Sequence, residues 1–335
     1  MEQQTKPAFL EFMPVSIFGS VMGLTALSFA WALADHTWHL GMSLSKGIGW
    51  TALIVFLVLT GAYGVKWARY PATVTAEFKN PVSVAFFSTV IISLLLIPGI
   101  LLPYTPTLAK AVWLLGVALI FLFALFVLRK WTGSQQAPES AMPVWVLPVT
   151  GTLNVPIVGN SFRFAGAHEL CLAFFGVGIV FIMMLMTIII ARLFFRGQLA
   201  PTAQASLLIL AAPFALAFSG YEGLNGTPDI AASAFFYFTL FLLLLFGSKI
   251  ALLPKSCPFH VSWWSVSFPL ASVTIAALRY SDSRPDPVHR LLAGGLLLLT
   301  TGVILYLLVQ TLFQAGTGRF GTANAQPRQP APLAT

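Results

Sequence analysis

Apolar residues are concentrated in ten long stretches, and proline divides these stretches into two alternating classes. Odd-numbered stretches contain or begin with proline, whereas even-numbered stretches have none in their interiors. Each even stretch reaches the roughly 20 residues that a helix needs to cross the hydrocarbon core of a bilayer. The pattern predicts ten transmembrane helices in five helical hairpins. The odd stretches cover 14–36, 81–104, 144–162, 201–224 and 258–280, and the even ones cover 47–70, 109–131, 168–196, 229–250 and 289–314.

The prolines also indicate which helices lie inside. Proline removes a helical hydrogen bond and frees a carbonyl, and lipid offers no replacement partner. We therefore expect the odd helices to form an inner set and the even helices an outer set. The odd stretches begin 57 to 67 residues apart, which predicts pseudo-fivefold symmetry around a central pore. Our pore-lining candidates are Phe18, Gly19, Pro98, Pro148, Pro213, Ser265, Pro269 and Ser272.

Composition supports an all-α polytopic membrane protein. The chain is 58% hydrophobic and only 8% charged, whereas soluble domains have about 25% charged residues. We assign residues 1–315 to one ten-helix transmembrane domain. Residues 316–335 are rich in Gly, Pro, Ala and Gln, and we expect them to form a disordered cytoplasmic tail. The first apolar stretch has no basic leader or cleavage site, so we expect it to be retained as a helix.

The basic residues orient the chain in the membrane. With ten spans, the termini and the loops that follow even helices share one side, and this side holds twelve of the 18 Lys and Arg residues. Loops rich in Lys and Arg stay in the cytoplasm. We therefore expect both termini to be cytoplasmic in the plasma (inner) membrane of a multi-pass protein. The net charge of +8 is explained by this orientation, and it does not require nucleic acid as a partner.

Motifs for catalysis, metals and cofactors are incomplete. His168 and Glu169 begin a zinc-hydrolase pattern that lacks its second histidine. Gly176 and Gly178 have no third glycine for a dinucleotide site. We predict neither an enzyme nor a bound metal or cofactor. Glu222, near the end of an odd stretch, is the nearest candidate for the buried acid that a proton-coupled carrier usually needs.

The ninth stretch has the most polar odd helix. At about 100° per residue, Ser265, Phe268 and Ser272 share one face, and Arg279 lies near it. Small and hydroxylated residues also serve helix packing in membranes, so the serines alone do not define a pore. A phenylalanine beside a proline within a polar stripe indicates a plug in a pore with small walls. Arg279 is either an attractor for anions at the outer mouth or an interfacial side chain.

Three motifs resemble one known family. They are Met13–Gly23 with Leu27–Trp31, Asn80–Val82, and Trp264–Ala271. These resemble the opening, third and ninth helices of the TehA/SLAC1 family, which includes bacterial tellurite-resistance/dicarboxylate transporters and plant guard-cell anion channels. The resemblance implies a homotrimer of ten-helix protomers, each with its own pore occluded by a phenylalanine at the position of Phe268. Pro269 departs from this resemblance, because a bacterial member of the family has glycine at that position.

Anions are the expected cargo. The predicted pore helices carry no acid near their centres, so a cation would find no counter-charge. Exposed peptide N–H groups and hydroxyls can partly replace the hydration shell of an anion. The leading hypothesis is a passive channel for small inorganic or organic anions. The alternatives are a carrier or exporter of dicarboxylate, sulfite or tellurite, with or without coupling to protons, and, more remotely, a membrane-embedded enzyme.

Overall fold

The computed structural model describes residues 10–41, 43–226, 228–284 and 286–317, so nearly all of the predicted tail lies outside the described residues. Nine helices in the described part are long and apolar enough to cross a membrane, and one further apolar helix is shorter. The chain is therefore an all-α, multi-pass membrane protein. The helices are α1 Val15–Trp38, α2 Leu44–Arg69, α3 Ser83–Leu101, α4 Pro106–Gly133, the shorter α5 Pro143–Gly159, α6 Ala167–Phe195, α7 Pro201–Asn225, α8 Ile230–Lys255, α9 Val261–Ser283 and α10 Pro287–Gly316.

Burial separates the odd helices from the even ones. In their most apolar windows, α1, α3, α7 and α9 have 78%, 61%, 89% and 89% of their residues buried. The corresponding shares are 17% in α2, 33% in α4, 28% in α6 and α8, and 33% in α10. In α5, every residue except Ile157 is buried. The prolines therefore predict the inner and outer helices correctly.

The inner helices close a ring in chain order. Helix α1 packs on α3, α3 on α5, α5 on α7, and α7 on α9, and α9 returns to α1. Each outer helix packs on the inner helix that precedes it. The last contact of the ring is close because a Cβ atom on Gly23 would collide with the side chain of Ser267. The Ser267 hydroxyl lies 3.3 Å from the Gly19 carbonyl oxygen and bridges α9 to α1. The predicted symmetry of this ring stays a prediction.

Four of the inner helices contain 3₁₀ segments. A 3₁₀ helix has three residues per turn and is less stable than an α-helix, so it is normally short. Within the described residues, the outer spans contain no such segment. The backbone irregularity therefore lies in the helices that protein surrounds. The 3₁₀ segments are Val15–Phe18 in α1, Pro143–Val146 and Gly151–Asn154 in α5, Ala205–Leu210 in α7 and Val261–Val266 in α9.

The inner prolines occupy the points where α-helix resumes. Pro148, Pro156, Pro213 and Pro269 each fall within the first three residues of an α-helical segment that follows a 3₁₀ segment. Proline is tolerated in a first turn because its missing N–H would have no helical acceptor there. These prolines therefore join 3₁₀ helix to α-helix, whereas the sequence predicts kinks within continuous helices. Pro98 differs because it lies inside the α-helix of α3.

We predict that proline is tolerated according to the layer in which it lies. Leu243→Pro, within the continuous helix of α8, should lower the yield of folded protein, because a proline in a helix interior costs about 3 kcal/mol or more. Pro213→Ala should leave the yield close to wild type. Size-exclusion chromatography and thermal unfolding in detergent would measure both, with Leu243→Ala as the control for lost packing. Equal damage from Leu243→Pro and Pro213→Ala would contradict the layered arrangement.

Candidate functional site

The inner ring encloses a small central cavity, which we call the lumen. Its volume is about 40 Å³, which leaves room for only a few water molecules. All five inner helices contribute to its wall, and none of the described residues that line it carries a charge. The lumen is therefore narrow and electrically neutral in this structure.

Five of the predicted pore residues line the lumen. They come from three inner helices, and Phe268 is only 6% exposed. A Cβ atom on Gly19 would lie 3.6 Å from the Trp264 carbonyl oxygen, which is an ordinary contact distance, so α9 packs directly beside this position of α1. The five are Gly19, Pro213, Ser265, Phe268 and Pro269.

The other four predicted pore residues do not belong to the described lumen wall. The ring of Phe18 packs against Phe56 of α2 in an edge-on geometry, with centroids 6.2 Å apart. The Ser272 hydroxyl donates to the Phe268 carbonyl oxygen at 2.9 Å. Pro98 and Pro148 are buried within α3 and α5. Their place in a conducting pore stays a prediction.

Three of the four hydroxyl groups on the described lumen wall are already committed to hydrogen bonds, the fourth being that of Ser16 at the vestibule end. Thr89, Thr150 and Ser265 each donate to a carbonyl three or four residues earlier in their own helix, at 2.6, 2.7 and 2.6 Å. Their oxygen lone pairs remain available, but their hydrogens do not. For these hydroxyls to donate to an anion in place of water, their hydrogen bonds to the helix carbonyls would have to break. The sequence does not reveal that these bonds exist.

A larger cavity of about 850 Å³, which we call the vestibule, lies at one end of the lumen. Residues near the N-terminal ends of all five inner helices line it, so these helices point in the same direction. The hairpin pattern predicts this arrangement. Examples, one from each helix, are Val15, Ser83, Val144, Ala203 and Ser262.

The vestibule leads directly into the lumen. Ser16, Phe86 and Ser265 line both cavities and therefore mark the neck between them. Phe86, on α3, is the aromatic residue of this set. The sequence analysis does not identify it, because phenylalanine is common in the apolar stretches and nothing local distinguishes this one.

Side chains cap three of the helix N-termini at the vestibule. The Glu77 carboxylate accepts the Val15 N–H at 2.7 Å, at the start of α1. The Asn80 side chain accepts two backbone N–H groups at the start of α3. His260 Nδ1 accepts the Ser262 N–H at 3.2 Å, at the start of α9. Burial lowers the pKa of His260, so its ring is neutral at pH 7 and adds no charge to the wall.

A buried cation compensates the charge of the Glu77 carboxylate. Lys66 Nζ lies 2.9 Å from Glu77 Oε2 and 2.8 Å from the Met13 carbonyl oxygen. The Tyr63 hydroxyl donates to the same carboxylate at 2.9 Å. The two charged side chains are only 3% and 13% exposed. This cluster attaches a short helix, Pro71–Lys79, to the start of α1, and the apolar pattern of the sequence does not predict that helix.

At the opposite end of the ring, Arg279 and Glu222 form an ion pair. Arg279 Nη1 lies 3.2 Å from Glu222 Oε2, and the two side chains are 32% and 15% exposed. The Arg279 Nε atom is buried and has no hydrogen-bond partner. Arg279 therefore lies at the expected end of α9, but its charge is compensated. The charge of the Glu222 carboxylate is likewise compensated by Arg279.

We predict that the Lys66–Glu77 pair supports the fold. Lys66→Met leaves a largely buried carboxylate without its cation, and it should lower the free energy of unfolding by about 3–5 kcal/mol. The double variant Lys66→Met/Glu77→Gln should recover much of this loss, because glutamine retains an acceptor for the helix N-terminus. Denaturant or thermal unfolding in detergent would measure the difference.

The matched control for this prediction is the exposed pair between Arg196 and Glu139, in which Nη1 and Oε1 are 3.4 Å apart and the side chains are 50% and 58% exposed. Arg196→Met should cost less than about 1 kcal/mol. Equal effects of Lys66→Met and Arg196→Met would contradict the role of the buried pair.

Comparison with known proteins places this architecture in a family. The chain matches the family described as voltage-dependent anion channel, SLAC1, over residues 13–312. The S-type anion channel SLAH2 of Arabidopsis thaliana is 23% identical over 326 residues, which cover 93% of this chain and 61% of the relative. The guard cell S-type anion channel SLAC1 of the same plant is 24% identical over 333 residues, which cover 94% and 58%.

A bacterial relative is covered more completely. The tellurite resistance protein TehA homolog of Haemophilus influenzae is 26% identical over 270 residues, which cover 80% of this chain and 81% of the relative. The chain spans about three fifths of the length of the two plant relatives. Since the family match extends over nearly all of the helical region, the chain belongs to the SLAC1 voltage-dependent anion channel family.

Proposed function

We propose that this protein is an anion channel whose ions pass through the lumen and whose gate is Phe268. The observation that carries the proposal is the closed ring of five inner helices around an uncharged lumen with Phe268 in its wall. The family match and the names of the relatives as anion channels support the same class of function. The route runs from the vestibule through the neck at Phe86 to the lumen and the end marked by Arg279.

The distribution of charge favours anions over cations. The lumen wall has no carboxylate among the described residues, so a dehydrated cation would find no counter-charge there. The described acids of the vestibule wall are Glu11 and Glu77, and Lys66 compensates the second. The N-termini of all five inner helices face the vestibule, and four of them have no acidic cap. A helix N-terminus carries a partial positive charge, which favours an anion there.

The gate acts through dehydration of the ion. A lumen of about 40 Å³ cannot hold an ion with its hydration shell, and a hydrophobic constriction blocks ions by excluding water. Phe268 is buried at the start of an α-helical segment, directly after the 3₁₀ segment of α9. Movement of the phenyl ring away from the axis would widen and wet the path.

A carrier is the second candidate, and the ion pair between Glu222 and Arg279 is the observation that favours it. A carboxylate that exchanges an arginine partner for a proton could couple anion movement to proton movement. Dicarboxylate, sulfite and tellurite are the cargoes that this alternative suggests. We place Glu222 second because it lies at the end of the ring and not in the lumen wall.

The assembly and orientation are also part of the proposal. We propose a homotrimer with one pore in each protomer, in the plasma (inner) membrane, with the vestibule and both termini on the cytoplasmic side. The partners of the protein are then the lipid bilayer and small anions. The proposal includes neither catalysis nor nucleic-acid binding.

Truncation of the gate should open the channel. Phe268→Ala removes the ring and should raise anion conductance on the order of tenfold or more, since each ~1.4 kcal/mol taken from a barrier gives a factor of ten. Phe268→Leu should raise it less, because leucine still fills much of the space. Current recordings from purified protein in planar bilayers would measure both.

Phe18→Ala is the control for the gate, because it also removes a buried ring from an inner helix but one that packs against α2. It should destabilise the protein, by about 3–5 kcal/mol if soluble cores are a guide, without raising the current. If Phe268→Ala folds normally and conducts no better than wild type, Phe268 is not the gate.

The orientation can be tested by cysteine labelling. In a background with Cys171 and Cys257 replaced by serine, Gln4→Cys and Ala325→Cys should resist a membrane-impermeant thiol reagent in intact cells and react after permeabilisation. Asp282→Cys, at the opposite end of α9, should react in intact cells and serves as the positive control. Labelling of position 4 or 325 from outside would contradict the proposed orientation.

A further inference from the structure

Asn154 has hydrogen-bonding groups that the protein does not use. It lines the lumen at the end of the second 3₁₀ segment of α5 and is only 1% exposed. Its Nδ2 atom donates to the Gly151 carbonyl oxygen at 3.1 Å. Its Oδ1 atom is buried without a partner. Since a side-chain amide has two N–H donors and one acceptor oxygen, one N–H and the Oδ1 atom remain unpaired.

This is unusual for a buried polar side chain. Most such groups in folded proteins have at least one partner for each polar atom, because an unpaired group pays the full cost of leaving water. The hydroxyls of Thr89, Thr150 and Ser265 on the same wall follow this rule by donating to their own helices. Asn154 therefore offers both a free donor and a free acceptor to whatever occupies the lumen.

We propose that Asn154 binds the permeating anion in the lumen and selects for monovalent oxyanions that carry an O–H group. The free N–H donates to a charged oxygen of the anion, and the O–H of the anion donates to Asn154 Oδ1. An anion without an O–H group can use only the N–H, and it leaves Oδ1 unpaired beside a negative charge. The inference rests on the proposed channel function and adds the chemical class of the preferred ion.

The position of the site explains why it is closed in this structure. Asn154 and Phe268 line the same lumen, and both are more than nine-tenths buried. The lumen that both residues line is only about 40 Å³, so an anion can bind the amide only when the lumen widens, which removal of the Phe268 ring would bring about. The Phe268→Ala protein is therefore the appropriate background in which to measure selectivity.

Hydrogencarbonate and nitrate form a matched pair of probes. Both are planar, monovalent oxyanions, and only the first carries an O–H group. Bi-ionic reversal potentials, recorded in planar bilayers at mildly alkaline pH, give the permeability ratio of hydrogencarbonate to nitrate. In the Phe268→Ala background, Asn154→Leu should lower this ratio about threefold to tenfold, which corresponds to the net loss of one hydrogen bond. Thr152→Val is the control and should leave the ratio unchanged, because Thr152 lies in the same 3₁₀ segment but outside the described lumen wall, and its hydroxyl donates to the Val149 carbonyl oxygen at 2.8 Å.

An unchanged ratio in Asn154→Leu would overturn the proposal. If Asn154→Leu does not fold, Asn154→Ala, which is smaller and has no polar atom in its side chain, should show the same fall, and an unchanged ratio in that variant would count equally against the proposal.

The proposed channel function can fail separately, if Phe268→Ala carries no anion current. Binding of hydrogencarbonate to the purified protein, followed as a shift in unfolding temperature, then tests Asn154. A shift that Asn154→Leu abolishes would support the site, and the absence of any shift would overturn it.

Discussion

The need to pair backbone hydrogen-bonding groups within lipid governs this architecture. A 3₁₀ segment or a proline leaves carbonyl and N–H groups in weaker geometry or without partners, and hydrocarbon cannot replace them. Such irregular backbone is tolerated in a membrane only where protein or a water-filled cavity surrounds it. In the described residues, every 3₁₀ segment within a span lies in the inner ring, and the regular helices of the outer layer separate that ring from lipid.

The irregular ring gives the lumen its chemistry. Gly23 allows α1 and α9 to approach closely, because a Cβ atom there would collide with Ser267. The junctions between 3₁₀ and α-helix place Pro213, Asn154 and Phe268 on the wall. Charges are kept at the two ends, where Lys66 pairs with Glu77 and Arg279 with Glu222. The centre is left neutral, so an ion there would find no counter-charge to offset the loss of its hydration shell.

Proline predicts the layers from the sequence, because lipid penalises a broken helix wherever it lies. It does not predict which face of a helix meets the lumen. The sequence assigns Phe18 to the pore, but the turn angle changes from about 100° to about 120° per residue in a 3₁₀ segment, and the Phe18 ring meets Phe56. Lys66 and Glu77 are brought together by a short polar helix that apolar periodicity does not predict. For Asn154, the presence of an amide side chain within an apolar stretch is the sequence feature that could have identified a polar residue in the lumen wall.

Whether ions flow passively through the lumen is the central question, and a reversal potential answers it directly. The Phe268→Ala protein would be recorded in planar bilayers under an anion gradient, first at symmetric pH and then with a pH gradient imposed. A channel predicts unitary currents that reverse near the anion equilibrium potential and do not shift with the pH gradient. A reversal potential that moves with pH, or anion uptake that requires the pH gradient and produces no unitary current, would contradict the channel and establish a coupled carrier.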